Sequence, residues 1–144
     1  MDKNGNISTV ACNGMDFGYR HSILEERDGI VLSVVFHLTP KPQEEIRERM
    51  AELMSKRKTS QPLDLPSAGS AFKRPVGGYA AALIDQAGLK GFAVGGAAIS
   101  TKHAGFAVNL GNATAQDVKN LLQQVSDIVF EKFGIRLEPE VRIW

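Results

Sequence analysis

The stretch from Thr114 to Gly134 constrains this chain most. Val118, Leu121, Leu122, Val125, Ile128 and Val129 recur at helical spacing and paint one apolar stripe. Thr114, followed three residues later by Asp117, makes a capping-box-like start, and Gly134 supplies a stop. Such a helix must lie against a second apolar layer. The preceding runs GFAVGGAAIS (91–100) and HAGFAVNLG (103–111) offer one, as short strands or bends rich in Gly and Ala where backbones approach closely.

The remaining elements follow from punctuation and periodicity. Residues 79–87 predict a short helix closed by Gly88, with Ala80, Leu83, Ile84 and Ala87 inward. Thr39-Pro40-Lys41-Pro42 marks a boundary, because two prolines suit the entry to a helix and not a continuing strand. The helix that follows carries Ile46, Met50, Leu53 and Met54 on one face, with Glu45–Arg49 and Glu52–Lys56 pairs on the solvated side. Residues 58–75, with three prolines and apolar positions at Leu63, Leu65 and Phe72, predict an ordered surface loop. Residues 1–38 read as β-rich hairpin pieces, with strands at 7–10 and 30–36, and the strand that should pair with 7–10 is expected to be missing from the chain. Glu138 to Trp144 reads as a final strand. The expected fold is α+β, a small, mainly antiparallel sheet with helices packed on one side, divided into residues 1–38 and 39–144.

Composition narrows the partners. Seventeen Lys and Arg against sixteen Asp and Glu leave a net charge of +1 with no long block of either sign, so no nucleic-acid or membrane footprint is expected. Cys12 is alone and joins no histidine at metal-ligand spacing, so neither a disulfide nor a metal is expected. The amino terminus has no apolar signal core, and a reducing, cytoplasmic setting is the expectation.

General catalytic motifs are missing: there is no P-loop, no GxGxxG after a strand, no GxSxG elbow and no HExxH. The best local candidate is PSAGSAFKRP at 66–75, where small residues allow tight turns and two cations follow Ser70. Unaided, Ser70 could donate a proton only to a strongly basic centre, and taken alone it fits a structural turn better. Arg20 follows Phe17 and Tyr19, and a guanidinium braced by rings suits either carboxylate capture or packing. Glu140 could hold a proton in a cleft or simply face solvent. The turn at Lys102-His103 takes no catalytic role.

Four motifs in register change that balance. FGYRHSI at 17–23, QPLDLPSAGSAFKRP at 61–75, AGLKGFAVGGAAIS with KHAGFAVN across 87–109, and LEPEVRIW at 137–144 together resemble the MurB family, the flavin-dependent reductases of peptidoglycan precursor synthesis. The spacing of Arg20 and Ser70 resembles the family's shorter branch, which lacks an extra tyrosine-bearing loop. The resemblance implies that residues 1–38 are the tail of an FAD-binding domain and 39–144 a substrate-binding domain. It implies reduction of UDP-N-acetylglucosamine-enolpyruvate by NADPH through FAD, the flavin being bound mostly by a portion this chain lacks. By motif, Arg20, Ser70 and Glu140 take the catalytic positions, and Tyr19, Gln61, Lys73 and Arg74 take substrate contacts. Arg74 stands where asparagine is common in the family, and Thr59-Ser60 where a basic residue is often found. A separately encoded flavin-binding half and self-association through unpaired strands are further expectations. The competing reading is a nucleotide-sugar-binding module without catalysis.

Overall fold

A computed structural model of the chain describes residues 1–142 and divides them into two compact units, Met1–Lys41 and Pro42 onward. The second unit holds the core. Helix α3, Ala115–Phe133, begins with the capping box read from the sequence: the Asp117 amide donates to Thr114 Oγ1 at 3.1 Å, and the Thr114 amide donates to Asp117 Oδ2 at 2.9 Å. It ends at Gly134, whose φ of 69° lies in the left-handed region that a side chain disfavours. Its stripe buries Leu121, Leu122, Val125 and Val129. Each such side chain contributes roughly 1.5–3 kcal/mol over its exposed form.

The stripe lies on a three-stranded antiparallel sheet in the order β1-β2-β3, formed by Ala93–Val94, Ala97–Ile99 and Ala107–Asn109. Helix α3 packs on β1 and β2, and the short helix α2, Ala80–Gln86, packs on α3. Ile84 of α2 and Ala87 just after it join Ala97, Ile99 and Leu137 in the core. The α+β expectation therefore holds. Close backbone approach explains one glycine pair. Gly95 and Gly96 make the two-residue turn between β1 and β2, and a Cβ on Gly96 would meet the Gly111 carbonyl and the Ala113 amide at 2.6 Å.

Several expectations need correction. Helix α1, Gln43–Ser60, forms after the prolines but buries no residue, so Ile46, Met50, Leu53 and Met54 stay exposed. Arg49 pairs with Glu52 at 2.6 Å, and the Glu52–Lys56 pair forms as expected. The loop over 58–75 is anchored by buried Phe72 and half-buried Leu65, with Leu63 exposed.

The expected strands at 7–10 and 30–36 are not strands. The first unit contains two short 3-10 turns, Cys12–Gly14 and Ile23–Glu25, and isolated bridges joining Asp2 to Gly29 and Gly18 to His21. The β-branched run 30–36 is exposed throughout and is paired only at Ile30, which exchanges hydrogen bonds of 2.8 and 2.9 Å with Met1, because strand propensity expresses itself only where a neighbouring strand accepts the backbone bonds. The final strand is likewise reduced to one bridge, Phe72 with Pro139, and its Ile143 and Trp144 lie outside the described residues.

Candidate functional site

The loop from Pro66 to Lys73 is tied to β3 at its start. The Asn109 amide donates to the Pro66 carbonyl at 2.9 Å, and Ser67 Oγ donates to the Ala107 carbonyl at 2.7 Å. The Gly69 amide donates back to Ser67 Oγ at 3.2 Å, and Gly69 itself sits at φ 94°, which is why the motif needs glycine there. Ser67 thus organises the turn before Ser70, a role that the sequence signals only as a serine two residues ahead of a glycine.

From Ser70 the chain runs extended between two neighbours. Ser70 bridges Phe106, with the Ala71 amide donating to the Gly105 carbonyl at 2.8 Å. On the other side the Lys73 amide donates to the Glu138 carbonyl and the Glu140 amide to the Ala71 carbonyl, both at 2.9 Å. The small sheet is therefore continued by two more single-bridge segments. Ala71 and Phe72 are buried and anchor the segment, while Ser70 is exposed and Lys73 and Glu140 are half-buried. The hydrogen bond from Glu140 to Ala71 places residues 70 and 140 on adjacent antiparallel segments.

The other predicted residues are held as follows. Lys73 Nζ forms an ion pair with Glu138, a carboxylate that the sequence reading passed over and that no local spacing could have joined to Lys73. The Arg74 guanidinium carbon lies over the Tyr79 ring, 3.8 Å from its centroid. Gln61 Oε1 accepts from Arg57 Nε at 3.4 Å, at the end of α1. His103 Nδ1 accepts from the Gly105 amide at 3.1 Å, and its ring meets Phe106 edge-on at 5.0 Å, a structural role in the turn beside Ser70.

Arg20 and Tyr19 belong to the first unit. They form the two-residue turn closed by the Gly18–His21 bridge, with the Arg20 guanidinium 5.9 Å from the Tyr19 ring centre. Arg20 has φ 56°, a left-handed conformation that costs a side-chain-bearing residue about 1–3 kcal/mol. Sequence reading gave no warning of it. Among the described residues no three His, Cys, Asp or Glu side chains are grouped to hold a metal ion, and no helix is long and apolar enough to cross a membrane.

This arrangement defines a class: an α+β domain whose small sheet presents a glycine-turned polar loop beside an acidic edge segment. Residues 61–144 match the family described as UDP-N-acetylenolpyruvoylglucosamine reductase, C-terminal domain. The chain belongs to that family. It is 51% identical over 143 residues to the reductase of that name from Caldanaerobacter subterraneus subsp. tengcongensis and 52% identical over 143 residues to that of Agathobacter rectalis. Each alignment takes in 99% of this chain but 47% and 46% of the relative. The crystal structure of the reductase MurB from Thermus caldophilus superposes with a TM-score of 0.73 at 46% identity, over 91% of this chain and 47% of that one. The chain spans about half the length of the curated relatives it matches.

Proposed function

We propose that this chain is the substrate-side half of a cytoplasmic UDP-N-acetylmuramate dehydrogenase, which reduces UDP-N-acetylglucosamine-enolpyruvate in peptidoglycan precursor synthesis. FAD and NADPH are the cofactors of that reading. Residues 1–38 are then the tail of the flavin domain and residues 39–144 the substrate domain, with the rest of the flavin-binding half lying outside these 144 residues. Family membership supports it, and the observation that carries it is the bond from the Glu140 amide to Ala71, which sets two of the three motif residues on neighbouring segments.

The first unit does not by itself fit a flavin. Of its residues only Met15, His21, Ser22 and Ile23 are even half-buried, and an isoalloxazine ring needs an enclosing apolar wall. The hydride therefore comes from a group held outside these residues.

Hydride addition to the terminal carbon of the enolpyruvyl group leaves negative charge on the adjacent carbon, delocalised into the carboxylate. In this reading Arg20 holds that carboxylate, so its attraction grows as the charge develops. Ser70 Oγ–H then delivers a proton to the carbon, since the aci-carboxylate is basic enough to deprotonate even a hydroxyl. Glu140 polarises the same centre. Lys73, Arg74, Gln61 and Tyr19 serve the rest of the nucleotide sugar.

The test supplies the flavin-bearing half in trans or by fusion. Ser70→Ala should leave reduction of the flavin by NADPH nearly intact and slow its reoxidation by the enolpyruvyl substrate, with Ser70→Cys between alanine and wild type. Equal losses in both half-reactions would assign the loop to packing. An unimpaired alanine variant would sink the assignment of Ser70, whereas binding of the nucleotide sugar with no reoxidation of the flavin by the unaltered sequence would favour a binding module without catalysis.

A further inference from the structure

The first unit is open almost everywhere, yet its four half-buried residues, Met15, His21, Ser22 and Ile23, fall together. They close one loop. The Ile23 amide donates to the Met15 carbonyl at 2.9 Å, and inside that closure Gly18 and His21 exchange backbone bonds of 3.1 and 3.3 Å around Tyr19 and Arg20. Two residues of the loop, Asp16 at φ 47° and Arg20 at φ 56°, hold left-handed conformations that only surrounding contacts can maintain.

The His21 ring sits where such contacts are needed. Its Nε2 lies 3.5 Å from Asp16 Oδ2 and its Nδ1 3.4 Å from Glu25 Oε2. One carboxylate belongs to a strained residue at the loop's entry, and the other to the 3-10 turn that follows its exit. A neutral imidazole carries one donor and can serve one carboxylate, whereas the imidazolium donates from both nitrogens. Asp16 and Glu25 are the charged groups acting on the ring, and the guanidinium of its neighbour Arg20 lies over Tyr19.

We propose that His21, as an imidazolium bridging Asp16 and Glu25, is a positioning residue that locks the Met15–Ile23 loop and holds Arg20 in its left-handed turn. The functional meaning rests on reading Arg20 as the carboxylate clamp, while the lock itself stands on the loop's geometry. The Glu25 hydrogen bond foremost, and that of Asp16, raise the His21 pKa above its ordinary 6.5 against the opposing effect of partial burial. A folded-state pKa raised above the unfolded one means that the lock is complete below pH 6.5 and is lost as pH rises through the raised value.

Hydrogen exchange of the Gly18 and His21 amides in the full chain tests this directly. Corrected for intrinsic rate, their protection should fall on the order of two- to fivefold as pH passes the His21 midpoint. His21→Gln should sit at the low value at every pH, and His21→Lys, which keeps a cation, should restore part of the protection above the midpoint. Asp16→Asn and Glu25→Gln leave the ring in place, and each should lower the midpoint read from the His21 ring-proton shift. Protection flat with pH, full protection in His21→Gln, or an unmoved midpoint in both carboxylate variants would overturn the lock. Arg20→Gln should keep the pH dependence, and its loss there would also overturn the lock. A failure of Arg20 as the clamp would appear instead in substrate binding, with these exchange signatures intact.

Discussion

The two units of this chain use similar side chains to opposite ends. Leu121, Val125 and Val129 in α3 are fully buried, whereas Val31, Val34, Val35 and Phe36 are all more than half exposed. Hydrophobicity does not separate them. What differs is that α3 satisfies its own backbone and needs only a surface for its stripe, while 30–36 needs another strand before its side chains have a face to cover. Apolar content therefore becomes a core only where the backbone's hydrogen bonds are already provided for.

The sharpest way to break the comparison is to truncate one residue from each side. Leu121→Ala should cost about 3–5 kcal/mol in denaturant unfolding, because a fully buried leucine leaves both lost transfer energy and a cavity. Val35→Ala, at a position 94% exposed, should change stability by no more than about 0.5 kcal/mol. A cost at Val35 comparable to that at Leu121 would show that the first unit packs as tightly as the second.

A smaller contrast separates two glycines. Gly96→Ala drives a methyl into the Gly111 and Ala113 backbone and should cost about 1–3 kcal/mol. Gly5→Ala meets no atom within 4 Å and suffers only its φ of 84°, so about 1 kcal/mol is expected. Equal costs would mean that the β1–β2 turn can yield.

The cap of α3 ranks next. Thr114→Ala should cost about 1 kcal/mol. Hydrogen bonds from Thr114, backbone first, lower the Asp117 pKa below its ordinary 3.8, so the cap's contribution is present above pH 3.8 and lost as pH falls through the lowered value. In Asp117→Asn, acid unfolding monitored by circular dichroism should lose that part of its pH dependence.

The smallest effect expected lies in the first unit. Weak, concentration-dependent association through the exposed 31–36 segment should appear in sedimentation, and Val35→Lys should remove it. A strictly monomeric profile at high concentration would refute that association.

What was legible in the sequence follows the same division. Thr114, Asp117, Gly134 and Gly88 act within one turn of the elements they bound, so their consequences were readable locally. The exposure of Ile46 and Met50 was not, because a helical stripe announces a face without saying whether anything meets it. The Lys73–Glu138 pair and the two bridges around Ser70 join residues far apart in sequence. The left-handed turn at Arg20 is set by the loop around it, not by arginine's own preference. Family motifs marked these positions without describing their surroundings.

The seam between 70–73 and 138–140 also has a consequence in time. Lys73 precedes Glu138 by 65 residues, so at ordinary rates of translation the Ser70 segment leaves the ribosome on the order of 3–13 s before its neighbour exists. Through that interval one side of the segment is an unpaired strand edge. Helix α3 lies between the two in sequence and must turn back at Gly134 before the later segment can dock. The strand edge beside Ala71 and Lys73 is thus closed only after α3 has been made, and until then it is open to any other strand that meets it.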